Sequence, residues 1–260
     1  MNPCASPLGY SAVILLLEIG LVSGALAIDF YEIQIYPTET VAREHLQVEV
    51  HSNSVTVATG AAAHTALRPY EVHETVETTY GLFDHLELGQ YLATVRFHNG
   101  NYEYAGSRTK LHFGIGDPST GLGAVGGNLE LDYMRSAAET NPLTFELRPI
   151  LERRLDRLLL VANLSLVKPF RGPGTHQGVT FSPSGLLSYD LVDWLTPALE
   201  YYGDVGPLQA VPSASGQEHF LVPALDLHLL PRLELNIGMG FGVTQESRGT
   251  FVKSIIGWTF

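Results

Sequence analysis

From residue 46 to the end, apolar and polar positions alternate in short segments separated by turn-forming residues. In the segment 232–245, Leu233, Leu235, Ile237, Met239, Phe241 and Val243 share one side, opposite Glu234, Asn236, Gly238, Gly240, Gly242 and Thr244. Side chains of a strand point alternately to its two faces, so a period of two predicts a sheet with one apolar and one polar surface. Segment 125–135 repeats the pattern, with Leu129, Leu131 and Tyr133 against Asn128, Glu130 and Asp132. Segment 217–229 does too, with Leu221, Leu225 and Leu227 against Asp226 and His228. Strands are predicted near 46–57, 70–80, 86–97, 107–115, 125–135, 143–152, 157–168, 179–190, 195–204, 217–229, 232–245 and 250–260. Most are about ten residues long, the length a tilted strand needs to cross an outer membrane. The alternation breaks at Gln90-Tyr91, where a β-bulge is expected.

The connections are sorted by parity. Tight ones follow the second, sixth, eighth and tenth segments, at 82–85, 153–156, 191–194 and 230–231. Longer, polar, Gly/Pro-rich ones such as "ATGAAAHTALRP", "HNGNYEYAGS", "KPFRGPGTHQG" and "GDVGPLQAVPSASGQ" follow odd segments. An up-and-down membrane barrel has short periplasmic turns and longer outer loops, whereas a soluble sandwich has no reason to sort its loops. The fourth connection, "GDPSTGLGA", is longer than this rule asks. A polar second face suits a lumen; a lipocalin-like barrel would reverse the two faces. The fold expected is therefore all-β, an antiparallel up-and-down transmembrane β-barrel of about twelve strands over 46–260.

The N-terminal stretch "YSAVILLLEIGLVSGALA" ends in Ala25-Leu26-Ala27, an A-x-A cleavage pattern, so residues 1–27 are expected to be a signal peptide. The region before the apolar run carries no Lys or Arg, and Glu18 interrupts it. Residues 28–45 are expected to be an N-terminal periplasmic segment, and the sequence leaves open whether 29–45 plug the lumen, pair as a strand or lie free. Composition narrows the function classes further. With 27 Asp+Glu against 15 Lys+Arg, the chain lacks a general electrostatic grip on nucleic acid. The one cysteine, Cys4, allows neither a disulfide framework nor a cysteine zinc site.

Residues "DFYEIQIYPTET", "TTYGLFDHLELGQYL", "FELRPILERRLDRLLLVANLSL", "ALEYYGDVGP" and "QEHFLVPALDLHLLPRLELNIGMGFGVT" resemble the meta-pathway phenol-degradation-like family of bacterial outer-membrane barrels. The resemblance covers most of the chain after residue 28 and implies residence in a Gram-negative outer membrane. It also implies a part in moving small molecules, hydrophobic or aromatic ones among them, and carries over no catalytic residue.

The polar face supplies candidate lumen-lining residues: Glu49, His51, His73, Arg108, Lys110, His112, Glu130, Asp132, Glu146, Arg148, Glu200, Asp226, His228, Glu234 and Lys253. Arg108, Lys110 and His112 face the same way, and Glu130 and Asp132 on the next strand lie within cross-strand reach. Such charges either brace the barrel as an internal ion-pair network or form a constriction that selects a permeant. At the C-terminus Ile256, Trp258 and Phe260 share a face; they resemble the signal read by the barrel assembly machinery, or form an aromatic girdle. The histidines show no His-x-x-x-His or HExxH spacing, so no metal and no cofactor are expected. His51 and Ser52, being adjacent in a strand, point to opposite faces and make poor partners for hydrolysis.

The function expected is a channel or transporter, not an enzyme, with outer-membrane lipid around it and an unidentified small-molecule permeant. Two rivals stay open. One is a structural or adhesive barrel acting through its outer loops, the other an outer-membrane lipid hydrolase.

Overall fold

The computed structural model describes residues 28–58, 71–97, 99–247 and 249–260. The expected signal peptide and most of the first long loop lie outside the described residues. Twelve long strands follow in chain order: β1 (Leu46–Ala58), β2 (Val72–Phe83), β3 (Leu86–Arg96), β4 (Tyr102–Gly116), β5 (Ala124–Met134), β6 (Leu143–Leu155), β7 (Leu158–Arg171), β8 (Thr180–Tyr189), β9 (Leu195–Asp204), β11 (Glu218–Leu230), β12 (Leu233–Gly242) and β13 (Gly249–Thr259). Between the ninth and tenth of these lies a two-residue strand, β10 (Gly206–Pro207).

Each long strand pairs antiparallel with its neighbours in sequence, and β1 pairs with β13, so the sheet closes on itself. Closure leaves no edge with unpaired backbone groups in the wall, which is what lipid demands. The expected strands match the observed ones within a few residues, except that β4 begins earlier than 107. The short-turn end holds Asp84-His85 and Asp156-Arg157, where His85 and Asp156 take φ of 71° and 55°. The fourth connection stays at this end as the turn 117–123, longer than its counterparts. The narrowest seam is β8–β9, paired over Ser184–Ser188 and Ala198–Tyr202, with β10 extending along β8.

The two faces separate as the alternation predicts. On β2, His73, Thr75, Glu77, Thr79 and Gly81 are buried, while Val76 and Tyr80 are exposed. Outward-facing Leu92, Leu131, Leu151, Leu199, Ile237 and Ile256 belong to an apolar band that only lipid satisfies.

The structure corrects two expectations. The ladder of β3 runs unbroken through Gln90-Tyr91; the register shift is at Ala93/Thr94, where Ala105 of β4 is the extra residue. Tyr91 disturbs the sequence alternation because an aromatic faces inward there, packed on residues inside the barrel. Gln90 faces out and donates to the Arg108 carbonyl. Second, of residues 28–45, expected as a periplasmic segment, 28–38 lie inside the barrel and 42–45 are exposed at its short-turn end. Ile28, Phe30, Tyr31, Glu32, Ile33, Ile35, Tyr36 and Thr38 are buried against the inner wall.

A charge at mid-height on the outer face should cost far more than one in a turn clear of the lipid. Leu129→Arg, centred on β5, is expected to lose about 2–4 kcal/mol, whereas Leu122→Arg, in the exposed turn after β4, should lose much less. Urea unfolding in lipid vesicles measures both.

Candidate functional site

Residues 28–45 form a plug. From the long-loop half of the lumen the chain runs toward the short-turn end, turns at 42–45 and enters β1. Glu44 takes φ of 64° in that turn, and the Gly81 amide donates to the His45 carbonyl while Glu44 donates to the Gly81 carbonyl. Gly81 and Gly114 admit the plug closely: a Cβ at Gly81 would strike the Ala42 carbonyl, and one at Gly114 the Thr38 carbonyl.

An extended strand inside a barrel has backbone groups that no ladder pairs, and unpaired buried groups are costly. Wall side chains satisfy them. Asn163 of β7 accepts from the Tyr36 amide and donates to the Tyr36 carbonyl, both at 2.8 Å. Asn53 of β1 donates to the Phe30 carbonyl at 2.9 Å. Glu152 of β6 accepts from the Thr38 amide and hydroxyl at 2.5 and 2.7 Å. Glu87 of β3 accepts from the Val41 amide at 2.5 Å.

Side chains of the plug are held as well. Arg108 reaches Asp29 and Glu32 of the plug and Asp132 of β5, the last at 2.5 Å. The Tyr36 ring lies between two cations, 4.2 Å from Lys110 Nζ and 4.9 Å from the Arg148 guanidinium, an arrangement that favours cation–π attraction. Its hydroxyl meets that of Tyr91 at 2.8 Å, and Tyr91 donates to Glu32. Toward the long loops the contacts become apolar: Phe30 packs edge-on against Phe251, beside Phe220, Val55 and Val222. Glu139, in the loop after β5, is raised above the ordinary carboxylate range by burial and by the charge of Asp29.

Of the residues picked out from the sequence, Glu49, His51, His73, Arg108, Lys110, His112, Glu130, Asp132, Glu146, Arg148, Glu200 and Lys253 are all buried on the inner face. Arg108 and Asp132 are direct cross-strand partners, as are Lys110 and Glu130. Lys110 nevertheless turns away to Glu77 of β2, at 2.7 Å, and Glu130 is left to Arg108 and Arg148 at 3.8 and 3.6 Å. Arg148 binds Glu146 at 2.6 Å. Lys253 forms a separate pair with Glu200 at 2.7 Å. Asp226 accepts from Asn236 at 2.6 Å. Glu234 and His228 lie toward the short-turn end and are exposed, Glu234 accepting from Gln47. Ile256, Trp258 and Phe260 are exposed on the outer face. His51 points inward and is fully buried, whereas Ser52 alternates with it.

Sequence reasoning missed Asn53, Glu77, Glu87, Tyr91, Glu152 and Asn163 as contacts of the plug, and left the plug itself as one of three arrangements. The signal that could have found Asn163 is its place as a polar residue interrupting the apolar run "LLLVANLSLV".

No protein-family model matches the chain, and no curated protein sequence matches it. Solved structures do. An outer membrane channel from Pseudomonas putida F1 superposes with a TM-score of 0.61 at 12% identity, covering 88% of this chain and 100% of that one. The fold is that of outer-membrane channels. The KdgM porin, solved in complex with disordered oligogalacturonate, gives 0.55 at 10% identity over 82% and 99% of the two chains. The NanC porin gives 0.54 at 11% identity over 83% and 98%.

Replacing Asn163 by Leu strands both backbone groups of Tyr36, at a cost of about 1–3 kcal/mol each. Amide exchange at Tyr36 is expected to accelerate by about tenfold or more, with little change at amides of the β2–β3 ladder, as hydrogen-exchange mass spectrometry can resolve.

Proposed function

We propose that this protein is an outer-membrane channel for small molecules whose lumen is closed by residues 28–45 and opens when that segment moves. The observation that carries this reading is what fills the lumen. It is a single continuous segment, joined covalently to the barrel at Leu46, held by backbone bonds to Gly81 at its end and by wall side chains from Phe30 to Val41. Such bonds exchange for water singly, at a net cost of about 0.5–1.5 kcal/mol each. Strand pairing of the wall is left intact.

The short turns face the periplasm and the long loops face outward, as in bacterial barrels of known orientation. Outer-membrane lipid surrounds the apolar band, and Ile256, Trp258 and Phe260 serve recognition by the barrel assembly machinery. With the plug displaced, the inner-face residues from Glu49 to Lys253 line the path. Outside the plug, buried described residues include eleven carboxylates against four Lys or Arg side chains, so the interior field favours cations over anions. The resemblance to the meta-pathway phenol-degradation-like family supports permeants that are hydrophobic or aromatic.

Planar-bilayer conductance of the folded chain tests the reading. The native protein should give small or rare steps, and an internal deletion of 28–40 that still runs as a folded barrel should give large, discrete, cation-preferring ones. Lys110→Glu in the deletion background should raise cation preference further. A deletion variant that is folded and equally silent contradicts the proposal and leaves a structural role acting through the loops.

A second reading is favoured by one feature of the wall. On the outer surface an apolar recess of about 670 Å³, lined by Leu151, Leu160, Leu187, Leu199 and Leu221 among others, adjoins the narrow β8–β9 seam. An apolar permeant could cross there sideways. A disulfide joining the directly paired positions Leu187→Cys and Leu199→Cys should stop uptake of an apolar probe into vesicles, and leave ion conductance unchanged, if passage is lateral. Passage along the lumen axis predicts uptake unaffected.

A further inference from the structure

We propose that Glu49, His51 and Glu77 form a binding site for a divalent transition-metal cation on the inner wall of β1 and β2. This site does not depend on the permeation reading. Glu49 and Glu77 are direct cross-strand partners, and both are buried. Like charges directly opposed on a sheet are destabilising, the more so out of water. Lys110 offsets one of them. It pairs with Glu77 Oε1 at 2.7 Å, and the Thr79 hydroxyl donates to the same oxygen at 2.7 Å. Glu77 Oε2 accepts no hydrogen bond. Among the described residues Glu49 has no Lys or Arg within ion-pair distance, and its one basic neighbour is His51.

His51 is the independent observation. It is fully buried, and neither ring nitrogen makes a hydrogen bond. Its Nε2 lies near both carboxylates, 3.4 Å from Glu77 Oε2 and 3.8 Å from Glu49 Oε2. Ligand atoms bound to Zn²⁺ at about 2.0–2.2 Å in a tetrahedral shell stand about 3.3–3.6 Å from one another. The two imidazole–carboxylate spacings are therefore close to those of a bound shell and long for a hydrogen bond, and the three ligand atoms lie within 4.8 Å of one another. One imidazole and two carboxylates are a donor set that Zn²⁺ and related first-row cations accept. The two carboxylates and Lys110 carry a net charge of −1, which attracts a dication. Lys110 and Thr79, by fixing Glu77 Oε1, present Oε2 to the site, as outer partners of metal ligands do. Gly257 leaves the space Glu49 uses, since a Cβ there would come within 3.2 Å of Glu49 Oε1. Lys110 also lies over Tyr36, so an ion at this site would steady the wall group that holds the plug.

The test uses the full-length chain isolated in folded form from a producing membrane and titrated calorimetrically with Zn²⁺. One ion per barrel is expected, with zinc-edge absorption spectra showing one imidazole and oxygen ligands. His51→Asn and the nearly isosteric Glu49→Gln should each weaken binding by more than about tenfold while migrating as folded barrels on unheated gels. If His51→Asn fails to fold, Glu49→Gln and the spectrum decide. Absence of stoichiometric binding, binding unchanged in both variants, or a spectrum with no imidazole would overturn the proposal.

Discussion

Everything inside this barrel depends on satisfying an extended chain where no strand can pair with it. Beyond Gly81 at the short-turn end, the wall strands exchange their backbone hydrogen bonds with one another. A segment in the lumen must take its partners from side chains. Asn163 serves both backbone groups of Tyr36, Asn53 serves Phe30, Glu152 serves Thr38 and Glu87 serves Val41. The polar inner face follows from this need as much as from any permeant. So do Gly81 and Gly114, which leave room for the plug backbone.

The charges follow the same logic. Arg108 draws plug carboxylates and wall carboxylates to one guanidinium, whose five donors in a fixed fork suit several partners. Lys110 bridges wall and plug differently, through an ion pair with Glu77 and a ring contact with Tyr36. On the proposed opening, an internal ion-pair network and a selective constriction are the same residues in two positions of the plug. With the plug in place they satisfy one another; with it displaced, the carboxylate excess faces water.

The wall was legible because alternation, segment length and loop parity are local and agree with one another. The eleventh segment alone, with Leu233 to Val243 on one side and glycines and polar groups on the other, specifies lipid outside and lumen within. Register was legible in part. Arg108 and Asp132 were placed as neighbours, yet the rotamer that sends Lys110 to Glu77 rather than Glu130 depends on packing around Tyr36. The plug was not legible. "DFYEIQIY" alternates much as a strand does, and nothing local distinguishes a chain paired in a sheet from one threaded through it. Tyr91 was the visible trace: an inward aromatic that looked like a bulge because its partner lies far away in sequence.

Magic-angle-spinning NMR of the isotopically labelled protein in lipid bilayers tests the central claim most directly. A through-space correlation between the Asn163 side-chain amide and the Tyr36 carbonyl carbon, with rigid signals across 30–38, is the expected result. Sharp, mobile signals for that segment and no correlation to Asn163 would contradict it.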